Sequence, residues 1–171
     1  CNYNMMPFSS FGGRVRPGGS RRSKEISLVT QKALLPVLDL NEYPNSVVDG
    51  FIEFPQTEAG SRCAGISAAA MALADAGLSM KDLVSAVSVG RVDDKLVVDL
   101  DYNEESYDGP VADIPVAMMP NHDKITLLQM DGLISKEELK KVIEMAKKAC
   151  KDIYKVQNKA LKERYQAEAK F

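Results

Sequence analysis

The sequence is poor in the residues that build several common kinds of site. Its 171 residues include no tryptophan, one histidine and three cysteines. The histidine, His122, lies in the turn-like stretch PNHDK, so no Ser-His-Asp triad can be argued from it. The cysteines are far apart and form no C-x-x-C pair, which argues against a zinc site and a disulfide framework. Such scattered, unpaired cysteines favour a reducing compartment. We therefore expect a cytoplasmic protein, which would also be nuclear if the chain is eukaryotic.

Other signals that would point to a class of protein are also missing. There is no P-loop and no G-x-G-x-x-G following a strand, so the common nucleotide-binding loops are not predicted. No apolar run approaches the roughly 20 residues of a membrane-spanning helix, and we expect no membrane partner. The net charge of −2 gives no overall attraction to nucleic acid or to an anionic membrane. The 45% of hydrophobic and 27% of charged residues are those of an ordinary globular domain.

The hydrophobic pattern mixes helices and strands without strict alternation, which predicts the α+β class. Ser23 is expected to cap the first helix, and Ser135 with Glu138 forms a capping box before the last. A hairpin is expected at RVDD. Helices are predicted at about residues 24–38, 61–76 and 136 to at least 164, and strands at 2–8, 46–54, 84–90, 95–101, 111–119 and 124–130.

The stretch EAGSRCAGISAAAMALADAG, residues 58–77, has almost no large or charged side chains in its middle. A helix without a polar face over three turns is expected to be buried on nearly all sides. Its start carries Gly60, Ser61 and Arg62, where unpaired N–H groups and the helix dipole attract anions. These residues predict a phosphate site. The alternative is that Ser61 is an ordinary N-cap and Arg62 a surface residue.

Two further segments carry a local excess of charge. Residues 14–24 hold five basic and no acidic residues, and arginine is suited to bidentate phosphate contacts. This Gly-rich segment suits a single-stranded substrate, although a solvated loop explains it as well. Residues 99–113 are acidic, and their carboxylates could hold Mg²⁺ or raise one another's pKa, unless they form a plain surface turn. The candidates are Arg14, Arg16, Arg21, Arg22, Lys24, Glu104, Glu105, Asp108 and Asp113.

Four stretches, taken in order, resemble the RNase PH family. They are YNMMPFS, SRRSKEIS, EAGSRCAGISAAAMALADAGLSMKDLV and LLQMDG. The resemblance is to the catalytic RNase PH-type subunit of the archaeal exosome and its eukaryotic counterpart. It implies an RNase PH-like β-α sandwich of the ribosomal protein S5 domain 2-like type, with its N-terminal strands missing. It also implies a single RNase PH-type domain over residues 1–171, partial at its N-terminus, with a charged helical tail at 157–171.

The resemblance also implies roles for particular residues. Arg21 and Arg22 correspond to adjacent arginines that bind the RNA 3′ end and the reacting phosphate, and the helix opened by Gly60 and Ser61 receives inorganic phosphate. Asp113 corresponds to the second of two active-site acids. The first is usually an Asp, but the position falls here on Glu105, and the stretch between these acids is two residues longer than in typical active archaeal members.

The implied reaction is phosphorolysis, in which phosphate attacks the last phosphodiester of single-stranded RNA and releases a nucleoside diphosphate. Asp113 and Glu105 would protonate the leaving oxygen or hold Mg²⁺. The implied partners are an RNase PH-type subunit in a hexameric ring, arranged as a trimer of heterodimers, and RNA-binding cap subunits. The alternatives are an inactive, RNA-binding ring subunit and a homohexameric tRNA-processing RNase PH.

Overall fold

The computed structural model describes residues 1–10 and 20–168. The main helices are α1 (Arg21–Leu34), α2 (Ser61–Asp75), α3 (Tyr102–Glu105) and α4 (Lys136–Glu168). The strands are β1 (Asn2–Met5), β2 (Phe51–Phe54), β3 (Ser85–Val92), β4 (Lys95–Val98), β5 (Val111–Met119), β6 (Lys124–Leu128) and β7 (Asp131–Gly132). Two 3₁₀ turns, Leu35–Val37 and Leu40–Glu42, follow α1. Within these described ranges, no helix is both long and apolar enough to cross a membrane.

The strands form two sheets of different size. The larger one is antiparallel, with the order β4-β3-β5-β6, and β7 pairs with the start of β5. Its centre is the β3–β5 pair, which runs over eight residue pairs from Ser85–Met118 to Val92–Val111. The smaller sheet is the parallel pair β1–β2. This mixture of helices and sheets confirms the expected α+β class.

The larger sheet is covered on both faces, because successive side chains of a strand point to opposite sides. On one side Ala86 and Ala117 pack with residues of α1 and α2. On the other side Val87, Val116 and Met118 pack with residues of α4. The central strands are therefore almost continuously buried, and the sheet lies between a two-helix layer and a single long helix.

Helix α2 is less enclosed than its composition predicted. Gly65 and Ile66 are buried, and a Cβ at Gly65 would lie 3.2 Å from Ile52 Cγ2, so the glycine permits close approach of β2. However, Ala64, Ala68 and Ala72 are exposed, four residues apart along one face. The expectation of burial on nearly all sides was wrong. Alanine has too little apolar surface for its exposure to cost much, so an uncharged helical pattern does not by itself require a covered face.

Several local expectations also change in the structure. The N-cap of α1 is Ser20, whose Oγ accepts a hydrogen bond from Ser23 N–H at 3.0 Å, so the first helix begins earlier than predicted. Strand β2 begins at Phe51 rather than near residue 46. The acidic segment opens with the short helix α3, because Asp101 and Glu104 cap it reciprocally. The predicted hairpin between β3 and β4 is confirmed.

The capping box before the last helix is also confirmed. Ser135 Oγ accepts from Glu138 N–H at 3.2 Å, and the Glu138 carboxylate accepts from Ser135 N–H at 3.0 Å. These two bonds satisfy two amides that the first turn leaves without a helical partner. Helix α4 extends into the predicted tail region as far as Glu168. There Gln157 is buried and Tyr165 donates to Asp75 O at 3.0 Å.

The close pairing of β3 and β5 predicts that a side chain at position 90 would destabilise the fold. A Cβ built on Gly90 would lie 1.8 Å from the Ala112 carbonyl oxygen, so Gly90→Ala must push the two strands apart. We expect the free energy of unfolding to fall by about 3 kcal/mol, as for an overpacked core. Urea unfolding measures the change. Gly50→Ala is the matched control, since its Cβ would meet only Cys1 Sγ at 3.7 Å. Equal stability of the two variants would contradict the prediction.

Candidate active site

One polar cavity of about 530 Å³ is lined by half of the candidate residues named from the sequence. It lies where the first turns of α1 and α2 meet the edge of the large sheet near β5 and β7. The predicted residues that line it are Arg22, Gly60, Ser61, Arg62, Glu105 and Asp113. The basic, small-residue and acidic segments are thus brought together at one place, although they are distant in sequence.

The first turn of α2 is open to the cavity. Its N-cap is Gly60, with φ +64°, and a glycine offers no side chain to bond the amides of that turn. Ser61 is therefore the first residue of the helix and not its N-cap, so the ordinary capping interpretation was wrong. The Ser61 hydroxyl lies 2.6 Å from the hydroxyl of Tyr3. This arrangement leaves a helix N-terminus suited to bind an anion.

Arg62 is held beside that turn by two neighbours that the sequence analysis did not identify. Its guanidinium forms an ion pair with Glu25 at 3.3 Å and donates a hydrogen bond to Gln129 Oε1. Gln129 Nε2 in turn donates to Glu25 Oε1 at 3.1 Å, which closes a ring of three side chains. Arg62 is therefore not an unattached surface residue. In the sequence Glu25 is part of SRRSKEIS and Gln129 is part of LLQMDG, and neither stretch shows that the two side chains meet.

The two candidate acids have different surroundings. Asp113 is on β5, paired with Gly90 of β3, and its carboxylate accepts a hydrogen bond from Ser88 Oγ. Glu105 is the last residue of α3. Burial, and secondly the charge of Asp113, raise the pKa of Glu105 above its ordinary value, while a hydrogen bond from the Gly60 backbone and the charge of Arg22 oppose the rise. Glu105 thus retains its proton to higher pH than an ordinary glutamate.

The arginines do not all reach this cavity. Arg22 lines it, whereas Arg21 is exposed and is not among its lining residues. Neighbours on an α-helix point about 100° apart, so adjacent arginines at a helix start cannot face the same site equally. Arg14 and Arg16 lie outside the described residues.

Glu105 and Asp113 are the candidate ligands for a metal ion in the cavity. Between residues 1–10 and 20–168, no group of three or more His, Cys, Asp or Glu side chains is arranged to hold one. Glu105 and Asp113 nevertheless fit Mg²⁺, which is usually held by one or two carboxylates together with water and substrate phosphates. The like charges that raise the pKa of Glu105 are the kind that a cation would relieve.

Cys63 is the one thiol at the cavity wall, on the first turn of α2. Burial, aided by the charge of Asp113, raises its pKa to about 12. The thiolate is the reactive form of cysteine, so Cys63 is an inert packing residue at neutral pH. The chemistry of the cavity therefore rests on its arginines, carboxylates and hydroxyl groups.

Fold and cavity together define an α+β protein with a polar cavity lined by arginines and carboxylates. Comparison with known proteins identifies its family. Residues 1–79 match the model of the 3′ exoribonuclease family, domain 1, and residues 82–149 match that of domain 2. Exosome complex component Rrp41 of Methanopyrus kandleri is 52% identical over 163 residues, 95% of this chain and 67% of that protein. Rrp41 of Thermococcus gammatolerans is 51% identical over 163 residues, 95% of this chain and 64% of that protein.

The chain belongs to the 3′ exoribonuclease (RNase PH) family, and the predicted resemblance is confirmed. A crystal structure of rice (Oryza sativa) Rrp46 matches with a TM-score of 0.79 and 18% identity, covering 94% of this chain and 71% of that chain. This structure supports the RNase PH-like fold alone. The chain spans about two thirds of the length of the Rrp41 proteins that it matches.

The pKa of Glu105 is raised and that of Glu138 is lowered. Replacing each by glutamine is therefore expected to change the stability at pH 7 in opposite directions. Above the ordinary value of 4.5, the folded state holds the Glu105 proton more tightly than the unfolded state, so stability falls as pH rises through that window. Glu105→Gln removes this penalty. We expect it to unfold at higher urea concentration than the parent at pH 7, with the advantage lost below pH 4.5.

Glu138 is the matched control, because hydrogen bonds from Ser135 lower its pKa below the ordinary 4.5. Its charge contributes stability that is present above pH 4.5 and is lost as pH falls through the lowered value. Glu138→Gln is therefore expected to be less stable than the parent at pH 7. The assignment fails if both variants shift the urea midpoint in the same direction at pH 7.

Proposed function

We propose that this chain is a phosphate-dependent 3′-to-5′ exoribonuclease subunit that releases nucleoside diphosphates from single-stranded RNA. The observation that carries the proposal is the meeting of two kinds of group in one cavity. Arg22 and the open N-terminus of α2 are suited to anions, and Glu105, which lines the cavity with Asp113, has a pKa above its ordinary value. Phosphorolysis needs both, because two anions must be held together while a proton reaches the leaving oxygen.

The attacking phosphate binds at the first turn of α2. The Ser61 hydroxyl and the amides of that turn donate to it, and Arg62 supplies a fixed positive charge. The terminal phosphodiester of the RNA lies towards Arg22, which neutralises its charge. The enzyme needs no nucleophile of its own, since a phosphate oxygen forms the new bond to phosphorus.

The bond from phosphorus to the 3′ oxygen breaks as the new bond forms. Glu105 donates its proton to that oxygen, because its carboxyl remains protonated to higher pH than an ordinary glutamate. Asp113 lines the same cavity and accepts a hydrogen bond from Ser88 Oγ. The products are a shortened RNA with a free 3′ hydroxyl and a nucleoside diphosphate. The reverse reaction adds a nucleotide from a diphosphate and releases phosphate.

Mg²⁺ is the cofactor that this pair of carboxylates fits. As the alternative to proton donation by Glu105, the ionised carboxylates of Glu105 and Asp113 would hold it, with water and phosphate oxygens completing its shell. Bound there, the ion would supply positive charge near the reacting phosphates.

The proposed setting is a hexameric ring in which this chain alternates with an RNase PH-type partner and carries RNA-binding cap subunits. The support is that the Rrp41 relatives are exosome complex components by name. Single-stranded RNA is the proposed substrate, because a cavity of about 530 Å³ suits a strand end better than a duplex.

The second candidate is a ring subunit that binds RNA and partners without chemistry. The observation that favours it is Glu105, which stands where the family usually has an aspartate, within a lengthened acidic segment. The third candidate, a homohexameric RNase PH, is separated from the first by its independence of a partner subunit.

The complex of this chain with an RNase PH-type partner provides the decisive test. Single-stranded RNA and Mg²⁺ are incubated with it, with and without phosphate, and nucleoside diphosphates are quantified. We expect diphosphates only with phosphate, and a loss of at least about 100-fold in kcat for Glu105→Gln, the usual contribution of a group in acid-base catalysis. Asp94→Asn, an exposed turn residue between β3 and β4, is the control and should leave kcat unchanged.

The alternatives give different results in the same assay. A complex that binds RNA but forms no diphosphates supports the scaffold role, and Glu105→Asp then tests whether the glutamate is responsible. Full phosphorolysis by this chain without the partner supports the homohexamer.

A further inference from the structure

Tyr3 is a buried residue that has no role in the reaction steps proposed above. Its side chain is 2% exposed, and its ring packs against Phe54 with centroids 5.5 Å apart. Its hydroxyl reaches Ser61 Oγ at 2.6 Å, at the first turn of α2. Tyr3 lies on β1, outside the cavity wall, so it touches the cavity only through Ser61.

The direction of the bond between Tyr3 and Ser61 follows from chemistry and burial. A phenol, with a pKa near 10, is a stronger hydrogen-bond donor than an aliphatic hydroxyl. If Ser61 donated instead, the Tyr3 proton would be left in a buried place, at the cost of an unsatisfied polar group. With Tyr3 as donor, the Ser61 proton is free to point into the cavity, where it can donate to an anion.

The backbone of Tyr3 makes a second connection to the anion site. Its N–H donates to Ser27 Oγ at 2.9 Å, and Ser27 Oγ donates to Ser23 O at 2.7 Å in the first turns of α1. The same turns carry Arg22. One residue therefore links the helix that provides Arg22 to the helix that provides Ser61.

We propose that Tyr3 is a positioning residue for phosphate, whose hydroxyl orients the Ser61 hydroxyl as a donor into the cavity while its backbone holds the arginine-bearing helix beside it. This inference rests on the proposed phosphate site. Tyr3 does not touch the reacting atoms, so it acts on phosphate affinity and not on proton transfer.

Tyr3→Phe tests the hydroxyl alone, because the phenyl ring is retained against Phe54. Inorganic phosphate is the probe, titrated into the protein and followed by ³¹P NMR, and into the RNA assay for steady-state kinetics. We expect the phosphate Kd and the phosphate KM to rise about fivefold, as for one neutral hydrogen bond. The kcat at saturating phosphate and the KM for RNA should stay within twofold of the parent.

Tyr43→Phe is the matched control. Its hydroxyl accepts a hydrogen bond from Ser79 N–H at 2.8 Å and is not part of the cavity, so loss of that oxygen should leave phosphate binding unchanged. Circular dichroism confirms that both variants are folded. Ser61→Ala in the Tyr3→Phe background should add little further loss in phosphate affinity, because the two hydroxyls act in series.

The binding and kinetic readouts separate this inference from the proposed function. Phosphate binding that weakens in Tyr3→Phe, without phosphorolysis by the parent, supports the inference and refutes the function. Unchanged phosphate affinity in a folded Tyr3→Phe variant overturns the inference, as does a parent that binds no phosphate. A fall in kcat with unchanged phosphate KM also overturns it.

Discussion

The pairing of β3 with β5 is the constraint on which the rest of the structure depends. These two strands bury side chains on both faces and thereby fix α2 on one side of the sheet and α4 on the other. The approach is close enough that residue 90 must lack a side chain. The same pairing places Ser88 beside the Asp113 carboxylate at the strand edge. The β3–β5 pairing therefore serves both packing and the candidate site, because β5 carries Asp113 and β3 carries the Ser88 hydroxyl that bonds it.

The cavity is lined by side chains of opposite charge. The proposed phosphorolysis needs both, since the arginines bind anions and a carboxyl group supplies a proton. Arg22 and Arg62 line the cavity together with Glu105 and Asp113. The charges of Arg22 and Arg62 favour ionisation of Glu105, while burial and the charge of Asp113 oppose it. The balance leaves the pKa of Glu105 above its ordinary value. An anionic substrate entering the site would add to the repulsion and favour the protonated form of Glu105 further.

The predictions from sequence were most accurate where a signal is local. Ser135 with Glu138 correctly predicted the start of α4, and the apolar stretch over residues 111–119 correctly predicted β5, because caps and short apolar runs depend on neighbouring residues. They were least accurate where three-dimensional neighbours decide. The exposed alanines of α2 are not distinguishable from buried ones by composition. The short β2 shows that an apolar run forms a strand only over the length that finds a pairing partner.

The sequence by itself determined the family, through four characteristic stretches that occur in a fixed order. It also identified Gly60, Ser61, Glu105 and Asp113 as candidates. Only the tertiary structure decided which candidates meet, since Arg22 reaches the cavity and Arg21 does not. It also revealed Tyr3, Glu25, Ser88 and Gln129 as their partners. The physical reason is that a hydrogen bond or a pKa shift depends on distances between atoms far apart in the chain, and those distances exist only after the strands have paired.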